Sequence, residues 1–158
     1  MKSVALAIAT AGGLGRAPIA PGTFGSGAGL VVWAVLPPSP IVHALAIVGV
    51  MVAGVWSAGE AERYYRSTDP GAVVIDEVLG MLVTLFLNPV SWAGALLGFL
   101  LFRLFDILKP YPANRLERLH GGFGVMCDDA VAAIYANIAL RVLLMAGESV
   151  LYTGNHVT

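Results

Sequence analysis

Residues 41–59, IVHALAIVGVMVAGVWSAG, form an uncharged, almost wholly apolar run that determines the fold class. An α-helix of this length reaches about 28 Å, which is close to the roughly 30 Å thickness of the hydrocarbon core of a bilayer. The next residues, EAERYYRS, are polar and predict the wet end of the same helix. We therefore expect one long helix here that is able to span a membrane.

The same pattern of apolar segments occurs twice along the chain. A short apolar arm, a break containing proline and a long apolar arm occur in that order at residues 26–59 and 78–109. The short arms have only about 10–12 residues, so each covers about half of the hydrocarbon thickness. A last apolar segment opens at Asp128. These five segments predict an all-α fold: a compact helical bundle with Gly/Pro-rich loops, forming a single domain over residues 1–158.

The composition favours membrane embedding. Hydrophobic residues make up 58% of the chain and charged residues 12%, about half of the usual share of roughly a quarter. Residues 17–59 and 78–102 contain no Asp, Glu, Lys or Arg. The alternative is a soluble bundle that buries its apolar arms in an oligomer, and a homo-oligomer is left open. The net charge of −1 gives no reason to expect a nucleic-acid partner.

The first residues and the segment 10–27 are rich in glycine. The N-terminal stretch is too Gly-rich and too weakly apolar for a signal peptide. Residues 10–27, TAGGLGRAPIAPGTFGSG, predict a Gly/Pro loop. The hydroxyl groups of Thr23 and Ser26 and the backbone N–H groups of this loop are the donors typical of phosphate-binding loops.

Half of the ten acidic residues stand where an apolar segment meets a loop. Asp76 and Glu77 open one segment, and Asp128 and Asp129 open another. For an isolated pair the ordinary explanation is helix capping, because acidic side chains stabilise helix N-termini. The fifth is Asp106, three residues after Arg103, so the two share a helix face and could form a simple ion pair.

The proposed hairpins bring these acidic residues together. If each hairpin returns to its starting side, the 10–27 loop and all five carboxylates lie on one face. Such carboxylates repel one another unless a cation neutralises them, and an oxygen-only ligand set favours Mg²⁺. Arg103 and Lys109 would supply the positive charge that phosphate oxygens need. The pattern therefore predicts metal-assisted phosphoryl transfer or hydrolysis.

Other phosphatase mechanisms lack their residues. The single cysteine, Cys127, has alanine rather than arginine six residues later, no D-x-D pattern occurs, and no GxxxxGK loop is present. Of the three histidines only His120, in a loop, is placed where a nucleophile could act. Water activated by a metal ion and a carboxylate remains. Two rival classes stay open: a transporter or channel subunit, whose charges tend to lie near the bilayer midplane, and a soluble Mg²⁺-dependent pyrophosphatase.

Four ordered blocks resemble a known family. RAPIAPGTFGS, DPGAVVIDEVLGM, FRLFDILKPYP and HGGFGVMCDDAVA are similar to the signature blocks of phosphatidylglycerophosphatase A, over about residues 10–145. The resemblance implies removal of the terminal phosphate of phosphatidylglycerophosphate, with Mg²⁺, during phospholipid biosynthesis. It also implies a site on the cytoplasmic face of the bacterial inner membrane. The basic residues clustered in the short gaps favour the same face.

The resemblance carries over residue by residue. The implied metal ligands are Asp76, Glu77, Asp106, Asp128 and Asp129. The implied catalytic residues are Asp129, Asp76 and Asp128, and which of them acts as base stays open. The implied substrate-binding residues are Arg103, Lys109, Thr23, Ser26, Gly22 and Gly25.

Overall fold

The structure is a computed structural model that describes residues 2–116 and 121–147. Within these ranges it contains α-helices and no β-strand, so the all-α prediction is confirmed. A 3-10 segment, Ala11–Arg16, follows the first helix. The helices are α1 (Lys2–Ala9), α2 (Pro21–Val35), α3 (Pro40–Tyr65), α4 (Ile75–Leu85), α5 (Trp92–Leu108), α6 (Ala113–Leu116) and α7 (Gly122–Ala146).

The short helix α4 is the centre of the bundle. It packs against α2, α3, α5 and α7, and nine of its 11 residues are buried. One apolar cluster packs its first half against α1, α3 and the start of α7, and a second packs its last half against α5 and the middle of α7. Because α4 is packed on all sides, its position is fixed, and so is the position of the carboxylates at its N-terminus.

The two hairpins, α2–α3 and α4–α5, turn at the same end of the bundle. There Trp33 and Trp92 pack edge to face with ring centroids 5.9 Å apart. A cavity of about 330 Å³ between the turns is lined by residues of both, including Pro38 and Asn88. It follows that the N-termini of α2 and α4 and the C-termini of α3 and α5 share the opposite end, as the hairpin argument predicts.

The predicted loop at residues 10–27 is partly wrong, because α2 begins at Pro21. Glycine lowers helix propensity, so its abundance here indicated a loop. In the structure the small residues instead form the buried face of a helix. A Cβ atom on Gly29 would lie 2.7 Å from Met81 Cβ and 2.9 Å from the Val78 carbonyl oxygen of α4. The glycines therefore permit close helix packing rather than a turn.

The last helix also begins earlier than predicted. It starts at Gly122, so Asp128 and Asp129 lie in its second turn and the capping explanation for them is wrong. The misleading signal was again glycine. Gly122 packs directly on the α3 backbone, where a Cβ would clash with the Val55 carbonyl oxygen. This close crossing with α3 makes the segment helical despite its glycine content.

The structure contains one helix that the sequence did not predict, and some residues considered in the sequence analysis lie outside its described ranges. The helix α1 was not predicted; it buries Ala5, Leu6 and Ala9. The Ala9 carbonyl oxygen also accepts a 2.8 Å hydrogen bond from the N–H of Val74, just before α4. His120 and the tail beyond Gly147 lie outside the described residues.

In the part of the chain that the structure describes, two helices, α3 and α7, are long and apolar enough to cross a membrane. Their outer surfaces remain apolar: Leu45, Val48 and Val52 are exposed along α3, and Ile134 and Ile138 along α7. Exposed apolar stripes of this length are typical of surfaces that contact lipid. The helix α5 has a similar outer face formed by Leu96, Leu100 and Leu104.

A pair of glycine substitutions tests the close packing of α2 on α4. Gly29→Ala should lower the thermal unfolding midpoint, because its Cβ would overlap α4 and overpacking costs about 1–3 kcal/mol. Gly27→Ala is the matched control, since a Cβ there meets nothing within 4 Å. It should be neutral or stabilising, by up to about 1 kcal/mol of helix propensity. Equal midpoints for the two variants in detergent would contradict the packing argument.

Candidate active site

Three carboxylates from two helices converge at the end of the bundle opposite the hairpin turns. Asp76 and Glu77 lie in the first turn of α4, and Asp129 lies in the second turn of α7. One oxygen from each lies within 4.8 Å of the others. Asp76 and Asp129 are 7% and 3% exposed, so water does little to screen their repulsion. We call these three residues the acidic cluster.

The acidic cluster has the oxygen atoms that a cation needs. Glu77 Oε2 and Asp129 Oδ2 are buried and have no hydrogen-bond partner among the described residues. Asp76 Oδ1 accepts the N–H of Glu77 at 3.1 Å. Burial raises the pKa of Asp76 well above its usual value, and the charges of Glu77 and Asp129 raise this pKa further. A hard divalent cation bound here would offset both the cost of burying the charges and their mutual repulsion, so the donor set fits Mg²⁺.

Arg103 borders the acidic cluster from α5. Its Nη1 atom lies 2.7 Å from Asp106 Oδ2 and 3.6 Å from Glu77 Oε1. Burial raises the pKa of Glu77, although the nearby Arg103 guanidinium acts in the opposite direction. Asp106, predicted as a metal ligand, thus pairs with Arg103 and lies outside the three-residue cluster. The predicted ion pair and the predicted proximity to the site are both present.

Lys109 and Asp128 form a second charged pair beside the acidic cluster. Lys109 Nζ lies 2.6 Å from Asp128 Oδ2, joining the residue that ends α5 to the second turn of α7. Asp128 is buried, and its Oδ1 has no hydrogen-bond partner among the described side chains and backbone. Asp128 is therefore next to the cluster in sequence, but its first partner is a lysine. Its predicted role as a metal ligand stays a prediction.

The start of α2 closes the site on the side of Arg103 and Glu77. A Cβ on Gly22 would clash with Glu77 Oε1, and one on Gly25 would lie 3.2 Å from Glu77 Oε2. These glycines therefore let α2 approach the acidic cluster. Ser26 is buried; its hydroxyl donates to the Gly22 carbonyl oxygen at 2.9 Å and accepts from Arg103 Nη1 at 3.5 Å.

Thr23 is exposed at the first turn of α2, and its N–H bonds to the Ala20 carbonyl oxygen. Of the predicted substrate-binding residues, Arg103, Lys109, Ser26, Gly22 and Gly25 are thus gathered around the carboxylates. The structure does not bring the Thr23 side chain into them.

Asp69 is an acidic residue near the site that the sequence argument did not select. Its charge is close enough to Asp76 to raise the pKa of that carboxyl group. It lies in the turn before α4 with φ 44°, and its N–H donates to Glu62 Oε1 at 3.1 Å. Its position seven residues before Asp76, in a polar turn, was the signal that could have identified it.

A family model and two relatives of known description agree on one family. The chain matches the model of the phosphatidylglycerophosphatase A family over residues 7–144. A phosphatidylglycerophosphatase A of Escherichia coli is 35% identical over 126 residues, covering 77% of this chain and 73% of that protein. The Haemophilus influenzae protein of the same name is 37% identical over 133 residues, covering 77% of each chain.

A further relative has a different description. A Bacteroides thetaiotaomicron protein described as a candidate phosphatidylinositol-3-phosphatase is 35% identical over 144 residues, covering 85% of this chain and 90% of that protein. No solved structure matches the chain.

Proposed function

This chain belongs to the phosphatidylglycerophosphatase A family, and on that premise we propose that it hydrolyses phosphatidylglycerophosphate to phosphatidylglycerol and inorganic phosphate with Mg²⁺. The observation that carries the proposal is the buried acidic cluster beside Arg103. Carboxylates alone would repel a phosphate, whereas carboxylates around a cation, next to a guanidinium, attract one. The chemistry is therefore that of a metal-dependent phosphomonoesterase.

In this proposal Asp76, Glu77 and Asp129 hold the cation. When bound, Mg²⁺ supplies positive charge that polarises the phosphate and eases the ionisation of water. Arg103 orients the phosphate: a guanidinium has five N–H donors, so its bond to Asp106 leaves others for phosphate oxygens. Each role thus uses the oxygen atoms or N–H groups that the ion pairs described above leave available.

We assign the base to Asp128. Its Oδ2 pairs with Lys109, which holds the side chain in place. Its Oδ1 has no partner among the described residues and can accept the proton of the attacking water. Asp128 is thus separated in role from Asp129, although the two residues are adjacent.

The rival classes fit the geometry less well. A transporter would place its charges at broken helices near the membrane midplane. Here they lie at the start of α4, near the start of α7 and at the end of α5, which suits a lipid headgroup at the membrane surface. The Bacteroides relative favours phosphatidylinositol 3-phosphate as a second candidate substrate, since it is also a phosphomonoester on a diacylglycerol lipid.

Phosphate release from the purified protein in detergent micelles tests the assignment. We expect rapid release from phosphatidylglycerophosphate with Mg²⁺, and slower release from phosphatidylinositol 3-phosphate and from pyrophosphate. Faster release from the inositol lipid would reassign the substrate within the same site. Faster release from pyrophosphate would favour the pyrophosphatase alternative.

We further propose that the protein lies in the bacterial inner membrane with the acidic cluster on the cytoplasmic side. Arg63, Arg66 and Lys109 lie at the end of the bundle that carries this cluster, as the positive-inside rule requires. The hairpin turns then point toward the opposite leaflet, and α4, with a rise of about 16 Å, ends within the membrane.

Cysteine labelling tests this orientation. In a Cys127→Ser background, which should remain active, Ser67→Cys lies exposed after α3, and Ser39→Cys lies in the α2–α3 turn. An impermeant maleimide should label residue 67 in inside-out vesicles only. Labelling of residue 67 in right-side-out vesicles would place the site outside the cell. Slow labelling of residue 39 from both sides would show that its hairpin stays within the membrane.

A further inference from the structure

The C-terminal end of α4 is held by a side chain from α7. Asn137 Nδ2 lies within hydrogen-bond distance of three carbonyl oxygens at the end of α4, those of Val83 at 3.0 Å, Thr84 at 2.9 Å and Phe86 at 2.8 Å. Its two N–H groups donate to them, so one N–H is shared between two oxygens. The last carbonyl groups of a helix have no intrahelical donor, and an unsatisfied carbonyl in an apolar environment is costly. Together with the N–H groups of Phe86 and Asn88, this amide satisfies the carbonyl groups at the end of α4.

The same two helices also meet at the acidic cluster. On α4, Asp76 precedes Thr84 by eight residues, and on α7, Asp129 precedes Asn137 by eight residues. Both spacings correspond to about 12 Å of helix rise. Since α4 and α7 run side by side in the same direction, the contact at Asn137 and the contact at Asp129 lie at matching heights.

We infer that Asn137 is a positioning residue that fixes the axial register of α4 on α7, and so sets how Asp76 and Glu77 face Asp129. A shift of one helical residue moves a carboxylate by about 1.5 Å, enough to disturb cation ligands that must surround one ion. The packed side chains between the helices already oppose such sliding. The Asn137 amide adds a directional constraint, because its N–H groups must stay in line with carbonyl oxygens at fixed positions.

A second asparagine, Asn88, provides a control for the effect of capping α4 alone. Asn88 Nδ2 donates to the same Thr84 carbonyl oxygen at 3.1 Å from the turn that follows α4, while its Oδ1 accepts from Arg141 Nε of α7 at 3.4 Å. Asn88→Asp therefore removes the donor that caps α4 but keeps an oxygen for Arg141, and it leaves the Asn137 amide between α4 and α7 in place. Asn137→Leu removes a cap and the register contact together.

The inference rests on the proposed cation site, and the experiment separates the two. The thermal unfolding midpoint of the purified protein in detergent is measured against Mn²⁺ concentration, and kcat and KM are measured with phosphatidylglycerophosphate. We expect Mn²⁺ to raise the wild-type midpoint. Asn137→Leu should need at least about tenfold more Mn²⁺ for half of that rise, and its kcat should fall more than its KM changes.

The control variants decide between positioning and stability. Asn88→Asp should lose thermal stability yet keep the wild-type Mn²⁺ dependence. Asn137→Gln keeps the amide donor and should recover part of the lost Mn²⁺ affinity and kcat. Asn137→Asp cannot donate and should recover neither. These two variants replace Asn137→Leu if the leucine variant does not fold. Equal Mn²⁺ dependence in the Asn137 and Asn88 variants would overturn the inference. A wild-type midpoint unaffected by Mn²⁺ would instead overturn the cation site.

Discussion

Asp129→Asn is expected to lower turnover by at least about a hundredfold while the bundle stays folded. The substitution removes one of the three carboxylates of the acidic cluster but preserves the size of the side chain. Losing a single electrostatic or proton-transfer group in a buried site has effects of this scale. The measurement is phosphate release by variant and wild type at saturating Mg²⁺, with helicity followed by circular dichroism.

The same variant should be as stable as the wild type, or more stable, in cation-free buffer. Burial and mutual repulsion make the three carboxylates costly when no cation neutralises them. Removing one charge relieves that repulsion, so activity and stability should change in opposite directions. Glu60→Gln is the matched control, because Glu60 pairs with Arg63 on α3 and is not one of the three carboxylates, so the variant should keep full activity. Near-normal turnover in Asp129→Asn would show that Asp129 has no role in catalysis.

Arg103→Ala is expected to lower kcat/KM by about a hundredfold or more. Among the residues that the structure describes, the Arg103 guanidinium is paired with Glu77, and it lies where a phosphate bound to the cation would need donors. Arg103→Lys should recover only part of the activity, because an ammonium group cannot form a bidentate contact with a phosphate. Steady-state kinetics with phosphatidylglycerophosphate measure both variants.

Arg63→Ala provides the comparison for loss of a positive charge elsewhere. Arg63 is largely exposed and pairs with Glu60, so its removal should leave kinetics unchanged. Arg103→Ala with kinetics equal to those of Arg63→Ala would show that Arg103 only balances the charge of Asp106.

The hairpin architecture could be predicted from the sequence because its causes are local. Long uncharged runs and proline breaks mark helices and their ends regardless of what packs around them. Pro40 begins α3 and Pro110 follows the end of α5, where a proline cannot continue the helix. The five predicted segments correspond to α2, α3, α4, α5 and α7.

The helix starts were mispredicted because glycine has two opposite uses. At Gly22, Gly29 and Gly122 it allows a neighbouring helix to approach, whereas at Gly121, with φ 87°, it does form a turn. The sequence alone cannot distinguish these two uses, because only the position of the neighbouring helix shows whether a glycine permits close packing or forms a turn. The helix α1 was missed for a related reason: its eight residues are short, and packing on α3 stabilises them.

The site was predicted as a set of residues but not in its internal pairing. The charge pattern indicated that the carboxylates meet at one end of the bundle. It indicated the Arg103–Asp106 pair, which lies within one helix, but it could not show that Lys109 pairs with Asp128 and that Asp76, Glu77 and Asp129 lie together. Such pairing depends on the rotation of α5 and α7 about their axes, which the long-range packing of the helices sets. Asn137 was missed because its partners, on α4, are more than 50 residues away in sequence.

The measurement that tests the central claim most directly is a Mg²⁺ titration of phosphate release after the purified protein has been stripped of metal by EDTA and dialysis. The substrate is phosphatidylglycerophosphate in mixed micelles, and Asp129→Asn is run in parallel. We expect no turnover without added cation and full recovery of the wild type with Mg²⁺ alone, with little recovery of the variant. Full wild-type turnover in excess EDTA would contradict a divalent cation held by Asp76, Glu77 and Asp129.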